Sequence, residues 1–494
     1  MSLAQELSNN RLVIVLRLSG EMCTKAPSTR KRFQSQFLRN IAAALGAANI
    51  SHTIRDQWYR VDVETDDERA VEILSRVFGV QKLYYSRAQN WSTIEDIVAI
   101  GASLFDARVA NKRFAVEARR VGNRELFDFN SQDLERALGK RLVEAGGRVD
   151  LSSAEVHVGV ELRPKEVFFF DRELSGPAGL PSGVEGRALS LMSGGFDSAV
   201  ASWMMLKRGV ALDFLFFDLG GPPHQRAVRE VTDVLAKAWV HGYAAKLHIV
   251  DFRPVIAEMK QGVRGRFWQL LLKRLMVRAG DLVARDGTHI ALITGEALGQ
   301  VSSQTLSNLA AISVPLATPV LRPLLGFNKD EIIAQARLIG TYEICSGVPE
   351  FCALGGGKPV TRSTMEQLDA EEARLDSSLL ETLVAHRRVL SMDELGEPLL
   401  IDVEVDRVPG DALVVDLRSP AAFKSWSYPD AVNVAFETAI HQFTLLPRDR
   451  CYLLFCDVGL KSAFLAEALR PLGYKAFSLR GGLRTLKRLA PPAA

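Results

Sequence analysis

Residues 188–198, ALSLMSGGFDS, limit the architectures open to this chain of 494 residues more than any other stretch. An unbroken apolar run ends in Ser193, Gly194, Gly195, Phe196, Asp197 and Ser198, and a helical pattern begins at once. Strands buried on both faces read this way, and VALDFLFFDLGG, AKLHIVDF and HIALITGEALG repeat the texture downstream. Apolar strands alternating with helices predict a doubly wound parallel sheet. Glycines in a strand-to-helix turn let backbone N–H groups approach a phosphate, and the helix N-terminus favours its charge. Asp197 would repel a bare phosphate. A carboxylate there suggests Mg2+ bridging it to a pyrophosphate, since magnesium favours one or two carboxylates plus phosphate oxygens. The plainer alternative is a Ser/Gly turn with Asp at a helix N-cap.

Length predicts three or four domains. The first 170 or so residues read as two small α+β units: strands at 11–21, 113–120 and 155–170 interleave with amphipathic helical stretches. A Gly/Pro-rich linker, SGPAGLPSGVEG, closes them off. Residues 361–395 read as amphipathic helix, and a last α/β unit starts near ALVVDLRSP. The expected division is 1–70, 71–174, a linker at 175–186, 187–395 and 396–494.

A net charge of +3 from 61 basic and 58 acidic side chains does not by itself mark a nucleic-acid binder. Local clusters do more: Lys25, Arg30, Lys31 and Arg32, then Lys112, Arg113, Arg119 and Arg120, suggest a groove against phosphates. No apolar run reaches membrane-spanning length and the start lacks a secretory pattern, so a cytoplasmic, membrane-free protein is expected. The five cysteines, at 23, 345, 352, 451 and 456, fit a reducing compartment better than a disulfide scaffold, and with no CxxC and no histidines at zinc-finger spacing they do not suggest structural zinc.

The hexapeptide SGGFDS resembles the pyrophosphate loop of the PP-loop ATPases, which activate an oxygen by adenylation. It lacks the Lys-Ser/Thr ending of a Walker A loop, and Gly355, Gly356, Gly357 and Lys358 run into Pro359. Together with TGEALGQVSSQTLSNL (294–309), LLLKRLMVRA, LRPLLGFNKDEII and VPEFC, it resembles the tRNA 4-thiouridine synthetase family over nearly the whole chain. That resemblance implies an ATP site made by Leu191, Met192, Ser193, Gly194, Gly195, Asp197 and Ser198, completed by Lys273, Gly295 and Gln304. Asp197 would hold Mg2+, and Lys329 would neutralise charge during adenylation. It implies a ferredoxin-like unit and a THUMP domain before the linker, the latter binding tRNA by shape and backbone.

In CYLLFCDVGLKS (451–462) an apolar strand runs into Cys456 and a loop leads to a helix. Successive N–H groups around a thiol at a helix start stabilise its thiolate and make it a nucleophile. Cys451 reads as packing. With Asp416, Arg418, Gly481 and Gly482, the segment resembles a rhodanese domain whose cysteine carries a persulfide, although the usual loop arginine is Lys461 here. The resemblance implies Cys352 as the second, resolving thiol, with Cys345 a rival. Either must bring its Cα within about 7 Å of that of Cys456, so the terminal domain must close on the ATP domain.

The expected enzyme is an ATP-dependent tRNA uracil 4-sulfurtransferase acting at uridine 8. A cysteine desulfurase would load the sulfur, and a thiazole-pathway sulfur carrier protein is a further recipient the resemblance implies. A homodimer stays open at this stage. The alternatives are a PP-loop thiolase for another tRNA position and an RNA-binding sulfur carrier with an inactive ATP site.

Overall fold

The computed structural model describes residues 12–57, 59–313, 316–348, 359–397, 399 and 401–489. They form two compact units, one of residues up to 184 with 207–209, the other of 185–206 and 210 onward. Among the described residues no helix is long and apolar enough to cross a membrane.

The first unit is built on a nine-stranded sheet. Its helix Pro27–Ala47 starts with proline in the first turn, where no N–H partner is lost, and buries Phe33, Phe37, Ile41 and Leu45 at i, i+4 spacing. The later helices Ile94–Val109 and Ser131–Glu144 open with capping boxes, Thr93 with Asp96 and Asn130 with Asp133. They bury Phe105, Leu134 and Leu138 against strands Arg113–Arg120 and Val156–Leu162, which run parallel. The region 155–170 is a hairpin, Val156–Leu162 paired antiparallel with Glu166–Phe170.

The basic clusters are more neutralised than their sequence suggests. Arg113 pairs with Glu155 at 3.2 Å, and Arg119 with Glu117 at 2.6 Å and Glu173 at 3.6 Å. Arg120 donates to the Phe129 carbonyl, and Arg30 is buried with its guanidinium over Tyr59. Lys31, Arg32 and Lys112 are exposed, and Lys25 is half-buried with its Nζ 5.6 Å from the Phe33 ring centroid.

The second unit holds two sheets. Six strands run in the order Val320–Leu321, Leu292–Ile293, Arg187–Met192, Ala211–Asp218, Lys246–Asp251, Arg388–Ser391. The first five are parallel, as expected. The sixth is antiparallel and comes from the stretch expected to be helical, which folds as helices Met365–Glu372 and Leu379–Ala385 before the strand. The terminal sheet is parallel throughout, in the order Glu404–Val405, Lys475–Leu479, Cys451–Phe455, Leu413–Asp416, Val432–Asn433.

These two sheets are tied together. Arg226, on helix Gly221–Trp239, pairs with Glu404 at 2.5 Å. Helix Leu460–Leu469 packs on the same helix, where a Cβ at Gly221 would lie 3.3 Å from Glu467 Oε2. Burial, then Asp218 and Asp402, push the Glu467 carboxyl from 4.5 up to about 7 against Arg253 and Arg470. A raised carboxyl pKa costs stability once the group ionises, so the cost is absent below about pH 4.5 and complete above about pH 7. Glu467→Gln is therefore expected to raise the melting temperature at about pH 8 and to change it little near pH 5. Equal shifts at both values in a thermal melt would contradict this.

Candidate active site

The chain enters the six-stranded sheet at Arg187–Met192, builds Ala211–Asp218 and Lys246–Asp251 to one side, then crosses to Leu292–Ile293 and Val320–Leu321 on the other. That reversal opens a crevice at the carboxyl ends of Arg187–Met192 and Leu292–Ile293, where open α/β sheets hold ligands.

Leu191 and Met192 end the first of these strands. Gly194 takes a φ of +81°, which glycine adopts without a Cβ penalty, and helix Phe196–Lys207 begins two residues later. The hydroxyls shape the turn from within. The Ser193 N–H donates to Ser198 Oγ at 3.2 Å, the Gly195 N–H to Ser193 Oγ at 3.3 Å, and Ser198 Oγ to the Gly195 carbonyl at 3.0 Å. Beneath it His224 donates from Nε2 to the Ser193 carbonyl at 3.3 Å. Burial lowers the His224 pKa to about 3, so this prop is neutral.

Gly295 follows the second strand and lies flat on the turn. A Cβ there would be 2.6 Å from the Asp197 carbonyl carbon and 2.7 Å from both Asp197 O and Ser198 N. Lys329 comes from a third direction. It opens helix Lys329–Ile339, whose start is fixed by the Asn328 and Glu331 capping box, and its Nζ lies 2.8 Å from Asp197 Oδ1. A cation in a helix's first turn opposes the helix dipole, and this ion pair is the compensation. With its amide turned to the orientation that satisfies both ends, Gln300 donates to Asp197 Oδ2 at 3.3 Å and accepts from Lys329 Nζ at 2.8 Å. Gln304 is buried in the turn Ser302–Gln304, and its Oε1 has no hydrogen-bond partner among the described residues. A buried acceptor left open suits a donor on a ligand, such as an amine of a purine. Lys273 sits half-buried on helix Trp268–Asp286, with no carboxylate within ion-pair distance among the described residues.

In the terminal sheet, the strand Cys451–Phe455 delivers Cys456 to a tight loop before helix Leu460–Leu469. The Gly459 N–H donates to Cys456 Sγ at 3.2 Å, and Ser462 Oγ lies 3.7 Å from the sulfur, itself 2.8 Å from Ser478 Oγ. Gly459 has a φ of +91°. A Cβ at Gly482 would clash with the Cys456 carbonyl oxygen, which accepts from the Leu483 N–H at 2.9 Å. This explains Gly482, and Gly481 before it takes a φ of +74°. Asp416 and Arg418 bond each other at 2.6 Å, and Arg418 also holds the Trp426 carbonyl at 2.7 Å. They brace the end of the sheet. Lys461 lies with its Nζ 5.5 Å from the Phe436 ring.

Cys352 lies outside the described residues. Cys345 is buried in helix Tyr342–Ser346, and burial pushes its thiol up to about 12. Cys451 is half-buried and its pKa is also raised by burial. His224 and Gln300 were not singled out from sequence; only Gln300, inside TGEALGQVSSQ, had a signal, in its closeness to Gln304.

Asp213, His248 and His289 lie near the amino ends of the strands, close enough to share a cation. The carboxylate is already neutralised there. Asp213 Oδ2 accepts from Arg187 at 3.1 Å and His289 at 2.8 Å, Oδ1 accepts from the Lys246 N–H, and Arg387 Nε is 3.4 Å from His248 Nδ1. The cluster reads as a buried ionic brace.

The model of the family described as "Thiamine biosynthesis protein (ThiI)" matches residues 183–377. A ThiI ferredoxin-like domain matches 13–83, a THUMP domain 92–170 and a rhodanese-like domain 401–488. A tRNA sulfurtransferase of Pyrobaculum aerophilum is 37% identical over 98% of this chain and 98% of its own length. That of Desulfurococcus amylolyticus is 36% identical, over 95% and 97%. A solved structure, a 4-thiouridine synthetase–RNA complex with bound ATP, superposes with a TM-score of 0.67 at 29% identity, covering 77% of this chain and 99% of that one.

Proposed function

We propose the following course of ATP-dependent tRNA thiolation because this chain belongs to the ThiI family of tRNA sulfurtransferases. The observation that carries it is the meeting of Lys329 with Asp197, residues from separate segments whose side chains lie 2.8 Å apart at the phosphate turn. ATP lies in the crevice, its pyrophosphate on the N–H groups of Gly194, Gly195 and the following helix, its base beside Gln304. Asp197, a single half-exposed carboxylate, fits one protein ligand of Mg2+, which when bound offsets charge on the leaving pyrophosphate. Lys329, held by Asp197 and Gln300, turns to the α-phosphate as charge develops there. Lys273 adds positive charge from its helix.

O4 of uridine 8 attacks the α-phosphorus, the bond to pyrophosphate breaks, and the N3 proton leaves. A pyrimidine carbonyl oxygen is a poor leaving group until esterified. The terminal sulfur of a Cys456 persulfide then attacks C4 and AMP departs. The Cys352 thiolate attacks Cys456 Sγ, releases 4-thiouridine and leaves a Cys352–Cys456 disulfide for two electrons of a cytoplasmic reductant to reopen. Cys345, buried with a raised pKa, is the poorer attacking thiol. A cysteine desulfurase reloads Cys456, and the same persulfide can serve a thiazole-pathway sulfur carrier. The THUMP region brings tRNA.

Purified protein given ATP, Mg2+ and an unmodified tRNA transcript is expected to release pyrophosphate and to leave AMP esterified to the transcript. With a sulfur donor added, mass spectrometry is expected to find 4-thiouridine at position 8. A sulfur carrier with an inactive ATP site would load sulfur without releasing pyrophosphate, and that outcome would reverse the reading.

A further inference from the structure

The loop that follows Cys456 is seated on a feature of the ATP domain that the reaction course above does not use. Gly347 ends helix Tyr342–Ser346 with φ of −86° and ψ of −12°, a conformation open to any residue. Its backbone therefore gives no reason for glycine. Its neighbour does. A Cβ at Gly347 would lie 2.5 Å from Val458 Cγ2 and 3.5 Å from Leu460 Cδ1, so the absence of a side chain is what admits the Cys456 loop. Val458 is 41% exposed, and its β-branched side chain has few rotamers into which that methyl can turn.

The next residue faces the other way. A Cβ at Gly194 in the phosphate turn would meet Val348 Cγ1 at 3.4 Å and Cγ2 at 3.5 Å. Two consecutive residues, Gly347 and Val348, thus separate the sulfur loop from the phosphate turn, and consecutive Cα atoms are only about 3.8 Å apart.

We infer that Gly347 is a positioning residue for sulfur transfer: its bare backbone receives Val458 and holds the Cys456 loop one residue away from the nucleotide turn. This inference rests on the function proposed above. It assigns no chemistry to Gly347, which acts only by setting where Cys456 stands when the activated base is present. Sulfur loading and adenylation each use one site and do not need the seat; transfer needs both.

The test uses the whole 494-residue chain as Gly347→Ala, Val458→Ala and the double variant. Three rates are measured for each: tRNA-dependent pyrophosphate release, formation of the Cys456 persulfide from a radiolabelled sulfur donor, and single-turnover movement of that label into tRNA. Overpacking one contact should lower only the third rate in Gly347→Ala, by about tenfold, with the first two within about twofold of wild type. Val458→Ala removes the clashing methyl, so the double variant should recover to within about threefold of wild type. Unchanged transfer in Gly347→Ala, a fall that Val458→Ala does not relieve, or a parallel fall in pyrophosphate release would each overturn the seat. Wild-type protein that transfers no label would overturn the function itself, and the seat with it.

Discussion

Cys456→Ala is expected to lower tRNA thiolation by about 10³-fold or more under limiting sulfur donor while leaving single-turnover, tRNA-dependent pyrophosphate release within about twofold of wild type. The two activities separate because they belong to different sheets. The phosphate turn, Gly295 and Lys329 are built on the six-stranded sheet, and Cys456 ends a strand of the terminal one. Alanine keeps the packing of the loop almost unchanged and removes the one atom that receives the Gly459 N–H at 3.2 Å. Cys456→Ser, which preserves a polar atom there, is expected to be equally inactive, so a packing defect cannot account for the loss. Limiting donor matters, since excess free sulfide could attack an adenylated base directly. Thiolation that survives in the alanine variant under those conditions would remove Cys456 from the pathway.

The sequence was most informative where function imposes a local pattern. SGGFDS was legible because a turn against phosphate needs glycine, a helix start and a buried strand in one short stretch, and the structure has all three at Arg187–Met192, Gly194 and Phe196–Lys207. The placing of Cys456 between a strand end and a helix start was legible for the same kind of reason. Tertiary effects were not. RVLS, at 388–391, continues an amphipathic stretch, yet it forms an edge strand because Lys246–Asp251 offers unpaired backbone groups beside it. The basic strand Arg113–Arg120 suggested a phosphate groove, but Glu155 and Glu173, distant in sequence, take up Arg113 and Arg119. Gly347 carried no signal, since its reason is a valine more than a hundred residues away.

Gly295→Ala is expected to cut both AMP release and thiolation by about 100-fold and to leave persulfide formation on Cys456 untouched. The glycine is required by proximity. Its Cβ would stand 2.6–2.7 Å from three backbone atoms of Asp197 and Ser198, and backbone atoms, unlike a side-chain tip, cannot rotate away. Either the strand end or the phosphate turn must shift, and overpacking of this kind costs about 1–3 kcal/mol. The turn is the softer partner, because it is held by three hydroxyl-mediated bonds of 3.0–3.3 Å rather than by a ladder. A shift of a few tenths of an ångström there moves the N–H groups meant for pyrophosphate and pulls Asp197 from Lys329. Gly326→Ala separates this effect from a general intolerance of alanine near the site. Position 326 lies three residues before Lys329, a Cβ there meets nothing within 4 Å, and near wild-type activity is expected. If Gly295→Ala released AMP at a rate within about threefold of wild type, the turn would not be the element that positions ATP. Loss in both glycine variants would likewise move the cause from the phosphate turn to the loop that carries Lys329.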